Sequence, residues 1–368
     1  MRSPKVVAMV ALLVCVAACG EAPPPPPPPP VATTPPAPPP PPPPSPEPPP
    51  SPPAPSIAKL TATPIALPGA TGDASIDYIA FDRARNRLWV PVGVTGSVDV
   101  LDVATGAFTR IDGFKKEERE AGGRKRTLGP SAVAVGDGFA YVGNRATSEV
   151  CPVDASALKA KSCLKLASAT DGVAWVGSAK EVWVTTPRDK SLTILDASTA
   201  GTLKPKTIIK TEGEPEGYAT DDERGLFFTN LEDKDETLVI DVKTHKVQST
   251  WKPGCGSAGP RGVAFVASRR FVVVACTDHL QVLDSNGAQL GKLDTGGGVD
   301  NIDVVGDKVF AAAGKAAKIT VASIDEKGQL AVVATGDTGE GARNTVADAS
   351  GTAYVADAAR ARILVMKP

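Results

Sequence analysis

The sequence predicts an all-β chain, a seven-bladed propeller with four-stranded blades, on three observations. One two-strand pattern recurs seven times between residues 77 and 356: an apolar run, a turn rich in Gly, Asp, Ser or Arg, and a second run of β-branched and aromatic residues. After six of these copies a second hairpin follows, giving four strands per repeat at a period of roughly 40 to 50 residues. That period suits a propeller and is too long for a leucine-rich or helical solenoid. The last copy is followed only by the short run at 362–366, so its outer strand must come from elsewhere in the chain.

In chain order, residues 1–18 read as a secretory leader. Arg2 and Lys5 charge its start, and its apolar core is too short to favour a spanning helix. The segment ends in Val16-Ala17-Ala18-Cys19, which resembles the bacterial lipoprotein signal. That resemblance implies cleavage before Cys19, diacylglycerol on its thiol, and an exported protein anchored by lipid in the cell envelope. Two acyl attachments meet the condition for stable anchoring. Gly20 and Glu21 differ from the Asp that the lipoprotein sorting rule associates with the inner membrane, so the same resemblance places the protein on the outer membrane.

Residues 19–56 are the lipidated N-terminus and a proline-rich spacer. Proline lacks the backbone donor that helix and sheet require and drives its predecessor into extended geometry. At about 3.1 Å per residue the tract could hold the following domain on the order of 100 Å from the lipid. The propeller then occupies 57–368. Residues 57–69 alternate apolar and polar like an outermost strand, and pairing them with 362–366 in the last blade would close the ring and cover its open edge. The seven inner hairpins begin at Asp77, Ser131, Asp171, Glu216, Arg261, Asp300 and Arg343. Outer hairpins follow at 97–111, 148–166, 191–210, 236–251, 279–293 and 318–335. Between the first two blades, 115–126 carries both signs of charge and reads as a solvated loop, with a docking arm over one face as the second reading.

With Cys15 removed and Cys19 lipidated, four cysteines remain in an exported chain. Cys151 and Cys163 flank one outer turn symmetrically; Cys255 precedes the fifth inner hairpin and Cys276 ends it. The expected disulfides are therefore Cys151–Cys163 and Cys255–Cys276, and the lack of paired C-x-x-C motifs argues against a metal site. Trp89, Tyr141, Trp183, Phe228, Phe310 and Tyr354, with Val273 interrupting, recur at one position of the second strand, where packing between neighbouring blades must be filled.

The residue opening each inner hairpin carries the chemistry. Asp77, Ser131, Asp171, Glu216, Arg261, Asp300 and Arg343 fall at one equivalent position beside the expected central channel. As a binding-face ring, their arginines would clamp a protein or a small acidic ligand. As a metal site, Asp77, Asp171, Glu216 and Asp300 would offer oxygen ligands to a hard divalent cation such as Ca²⁺. Nucleophilic chemistry has little to build on: His245 falls in an outer turn, and His279, beside Asp278, is the one histidine placed near the channel. No G-x-S-x-G, H-E-x-x-H, phosphate-loop or dinucleotide fingerprint occurs. With 40 basic and 41 acidic side chains, the net charge of −1 offers no long-range attraction to nucleic acid, which is not an expected partner.

The motifs YVGN at 141–144, LDVATG at 101–106 and LDASTAG at 195–201 resemble the YVTN-type propellers, including the periplasmic YncE-like proteins, over about residues 57–368. That family spans surface-layer, nucleic-acid-binding and uncharacterised lipoprotein members, so the resemblance implies a fold and no single activity. Lactonases of the regucalcin and gluconolactonase type are similar in having a propeller with a central divalent ion. Glu216 would be available for such an ion, although their E-G-P opening is absent. The sequence thus points to a monomeric, lipid-anchored, non-catalytic binding scaffold without cofactor. The alternative is a metal-dependent lactonase-like hydrolase working at the four carboxylates.

Overall fold

The computed structural model describes residues 22–31, 56–121 and 124–368. The leader, Cys15, Cys19 and most of the spacer lie outside the described residues. The chain divides into two compact units, Met1–Pro53 and Ala54–Pro368. In the first, residues 22–31 have neither helix nor strand and are exposed. Among the described residues no helix is long and apolar enough to cross a membrane.

The second unit is all-β. Four sheets each contain four consecutive strands, beginning at Ala80–Asp82, Val173–Val176, Pro215–Asp221 and Pro260–Val266. Another begins at Pro130–Gly136, and its outermost strand is split into Lys159–Ala160 and Leu164–Lys165. The split lies opposite Pro152, which has no N–H to give the ladder. Eight of the remaining strands form one sheet with Ala58–Ala66 at its middle. Thr61 to Ala66 pair antiparallel with Arg362–Lys367, as the sequence predicts. Ala58 to Leu60 also run parallel to Leu330–Asp337, a second pairing that alternation alone does not specify.

Local chemistry explains the repeat. In these turns an Asp side chain accepts nearby backbone N–H groups: Asp102 accepts from Ala104 and Thr105, Asp154 from Ser156 and Ala157, and Asp196 from Ser198. The aromatic column is buried throughout, with Trp89 and Phe228 fully enclosed. Across the ladder four of its members face alanines of the inner strands, Trp89 with Ala80, Tyr141 with Ala134, Trp183 with Ala174 and Phe228 with Ala219, while Phe310 faces Asp303 and Tyr354 faces Val346. Inner strands converge, so bulk must sit one strand further out. Three of these rings stack on the next repeat: Tyr141 on Trp175 at 5.4 Å, Phe228 on Phe265 at 5.8 Å, and Tyr354 of the last repeat on Phe81 of the first at 5.5 Å.

Both expected disulfides are present, with Cα separations of 4.0 Å for Cys151–Cys163 and 5.3 Å for Cys255–Cys276. The 115–126 segment is a two-stranded antiparallel hairpin, Glu117–Ala121 with Arg124–Leu128, rather than a plain loop.

Candidate functional site

The predicted position lies three residues before the inner-strand residue that faces this column. Several of these inner strands carry a β-bulge there, at Pro130/Ala132, Glu216/Tyr218, Pro260/Val263 and Val299/Ile302. A bulge leaves a residue outside the ladder and re-aims its side chain. Gly217 shows how close the backbones come: its φ is +63°, and a Cβ there would lie 2.1 Å from the Arg261 carbonyl oxygen.

Six of the seven predicted residues, Asp77, Asp171, Glu216, Arg261, Asp300 and Arg343, line one cavity of about 540 Å³. Ser131 does not. It is buried and lines a neighbouring cavity of about 300 Å³ that shares Asp77 and Arg343. The site contains a further arginine and further acids. Arg145 donates to Asp77 at 2.7 Å and also to Asp171. Arg343 lies 3.0 Å from Asp300 and 3.9 Å from Asp77. Arg261 reaches Glu216 at 3.4 Å and Glu232 through the same Nη1, leaving its Nε and Nη2 for other acceptors.

Arg145 and Glu232 were absent from the sequence-based set, yet a signal for them exists. Both stand four residues after the recurring aromatic, Arg145 after Tyr141 and Glu232 after Phe228. Thr277 and Gly314 occupy the same position in later repeats and line the same cavity. The end of the second strand therefore supplies a second ring of side chains beside the first.

Burial grades the charges. The side chains of Asp300, Asp77, Glu216 and Asp171 are 12, 14, 15 and 20% exposed, whereas Arg145, Arg261 and Arg343 are 30, 33 and 53% exposed. The guanidinium groups thus lie over a floor of carboxylates. Burial, reinforced by the charges of Asp300 and Asp171, pushes Glu216 up to about 8. Burial likewise raises Asp171 to about 6 despite Arg145, and raises Asp300. Burial disfavours the charge on Arg145, but Asp77 and Asp171 outweigh it and hold the guanidinium more firmly protonated. Beneath the carboxylates, Tyr78 and Tyr218 stack at 5.6 Å, and the Tyr78 hydroxyl is pushed well up by burial and by the acids around it.

The 117–128 hairpin reaches this region. Arg119, Arg126 and Leu128 line a cavity of about 340 Å³ together with Arg145, Asp171 and Glu216. The histidines lie apart from it. His245 contacts buried Glu181 at 3.1 Å, and buried His279 contacts Asp278 at 2.6 Å; neither lines the cavity over the acids.

No protein-family model matches the chain, and no curated protein does. Solved structures do resemble it. A chain of the mitotic checkpoint complex superposes with a TM-score of 0.69 at 13% identity, covering 87% of this chain and 96% of that one. Virginiamycin B lyase from Staphylococcus aureus gives 0.66 at 10% identity over 84% of this chain and 100% of the other. The WD40 repeats of RRP9 give 0.66 at 11% identity over 85% and 98%. The chain thus shares a β-propeller fold with these structures. At these identities the likeness concerns the fold alone, and the neighbours include enzymes as well as assembly components.

Proposed function

We propose that this protein is a lipid-anchored envelope propeller of seven blades that binds acidic segments of a protein partner at its channel mouth. The seven-blade reading is supported by the equivalence of the repeats and by contacts between the first and last of them. Tyr354 on Phe81 repeats the Tyr141–Trp175 relation, and the Asn344 side chain donates to the Asp77 carbonyl. The strand at 58–66 then acts as the outer strand of the last blade and closes the ring. The YVTN-like motifs and the Val16–Cys19 signal support membership of an exported, lipid-anchored class held off the membrane by its proline spacer, and the outer membrane remains the assignment from Gly20 and Glu21.

One observation carries the binding role: the arginines are the outer layer of the mouth, and each of the four inner carboxylates already has an arginine partner. An incoming ligand meets guanidinium N–H groups first, suited to carboxylate oxygens. A hard cation would have to displace those arginines to collect oxygen ligands, which disfavours the lactonase-like reading at Asp77, Asp171, Glu216 and Asp300. Thermal unfolding with Ca²⁺, Mg²⁺, Mn²⁺ and Zn²⁺ separates the two. The binding role predicts no metal-dependent stabilisation that Glu216→Gln abolishes; such a shift, accompanied by lactone turnover, would establish the hydrolase instead.

A further inference from the structure

The Cys255–Cys276 disulfide has a third chemical neighbour. The two Sγ atoms and a ring nitrogen of His279 lie within 4.8 Å of one another, and all three residues are buried. His279 Nδ1 is 2.6 Å from the Asp278 carboxylate, which only accepts, so Nδ1 carries the proton. In that tautomer Nε2 carries the lone pair. It is buried without a hydrogen-bond partner, in a residue 4% exposed. An unsatisfied buried acceptor requires a physical reason, and an unoccupied coordination or redox role is among the few available.

We infer that the reduced form of this pair is a metal site, in which Cys255, Cys276 and His279 take a thiophilic divalent cation such as Zn²⁺. A dithiol reductant supplies two electrons and two protons, the S–S bond breaks, and two thiols form while the reductant becomes a disulfide. Binding of the cation then displaces both thiol protons and leaves two thiolates and the Nε2 lone pair as ligands. The fourth position is open to water. With Zn–S near 2.3 Å, the sulfurs must separate to roughly 3.8 Å. Cys255 can supply that movement because it lies between Gly254 and Gly256, whose φ values are +85° and +57°, in a loop outside the sheet. Asp278 on Nδ1 is the carboxylate–histidine arrangement that orients metal-bound imidazoles. The Cys151–Cys163 pair has no such histidine in its group, so the second disulfide alone has a metal-bound counterpart among the described residues. The cation would tie the 252–259 loop to its strand whenever the disulfide is open.

The test is anaerobic titration of the full chain with Co²⁺ after reduction by a phosphine, reading the sulfur-to-cobalt charge-transfer band and its loss when Zn²⁺ displaces the cobalt. The reduced protein should bind one equivalent and the oxidised protein none. His279→Ala should weaken binding at least tenfold and Asp278→Asn about tenfold, whereas Cys151→Ser with Cys163→Ser should leave it unchanged. Zn²⁺ should also raise the melting temperature of the reduced protein only. Absence of the band, equal binding by both His279 and Asp278 variants, or unfolding on reduction that Zn²⁺ does not reverse would overturn the assignment.

Discussion

Replacing Glu216 by Gln should stabilise the protein at alkaline pH, and the structure gives the sign and scale. Glu216 is held near 8 by burial and by the Asp300 and Asp171 charges, against an ordinary value of 4.5. The folded state therefore holds this proton more tightly than the unfolded chain. Stability from this group is complete below about 4.5 and is lost as the pH rises towards 8. Gln imitates the protonated side chain, so it removes that loss. The ionised carboxylate is buried yet lies 3.4 Å from Arg261, so its penalty is a fraction of the several kcal/mol of an unpaired buried charge, about 1–3 kcal/mol. At about 2 °C per kcal/mol for a chain of this size, the variant should melt about 2–6 °C above the wild type at pH 9. At pH 4.5 the two should coincide. Calorimetric melting of both proteins across this range measures the difference. A variant less stable at pH 9, or a difference independent of pH, would refute the electrostatic reading of the mouth.

Deleting residues 57–69 should uncover the edges of Arg362–Lys367 and Leu330–Asp337 and promote aggregation or proteolysis; equal stability of the shortened protein would contradict ring closure by this strand. Opening the Cys151–Cys163 loop by a double Ser substitution should cost about 2–3 kcal/mol, because only 12 residues separate the pair; chemical denaturation measures it, and a larger loss would implicate packing of buried Cys151. Cys19→Ser should move the protein from the membrane to the soluble fraction, and unchanged detergent partitioning would remove the lipid anchor from the account.

The repeat and its mouth were readable in the sequence because a once-per-blade position becomes a ring in space. The seven residues opening the inner hairpins could be aligned without a structure, and six line one cavity. What the alignment could not convey was pairing. Arg145 follows the end of a second strand whereas Asp77 and Asp171 precede first strands, and only convergence of the inner hairpins brings its guanidinium between them. For the same reason four carboxylates in sequence suggest a cation site, whereas three arginines in space occupy them. Ser131 is the exception within its own column: small and buried, it turns to the adjoining cavity. The 117–128 hairpin was obscured by its mixed charge, since its strands lack apolar alternation. Likewise, alternation in 57–69 established a strand but could not fix its neighbours, because Ala58–Ala66 changes partner midway.

On the proposed reading, the mouth recognises carboxylates through its outer arginines. Calorimetric titration of a glutamate-rich peptide into wild type, Arg261→Ala and Arg343→Ala, with a lysine-rich peptide as control, tests it most directly. The acidic peptide alone should bind, more weakly as salt rises, and more tightly at pH 6 than at pH 8.5 because Glu216 takes up a proton beneath the arginines. Each alanine variant should lose at least tenfold in affinity, about 1.4 kcal/mol. Equal binding by the variants, or preference for the lysine-rich peptide, would contradict it.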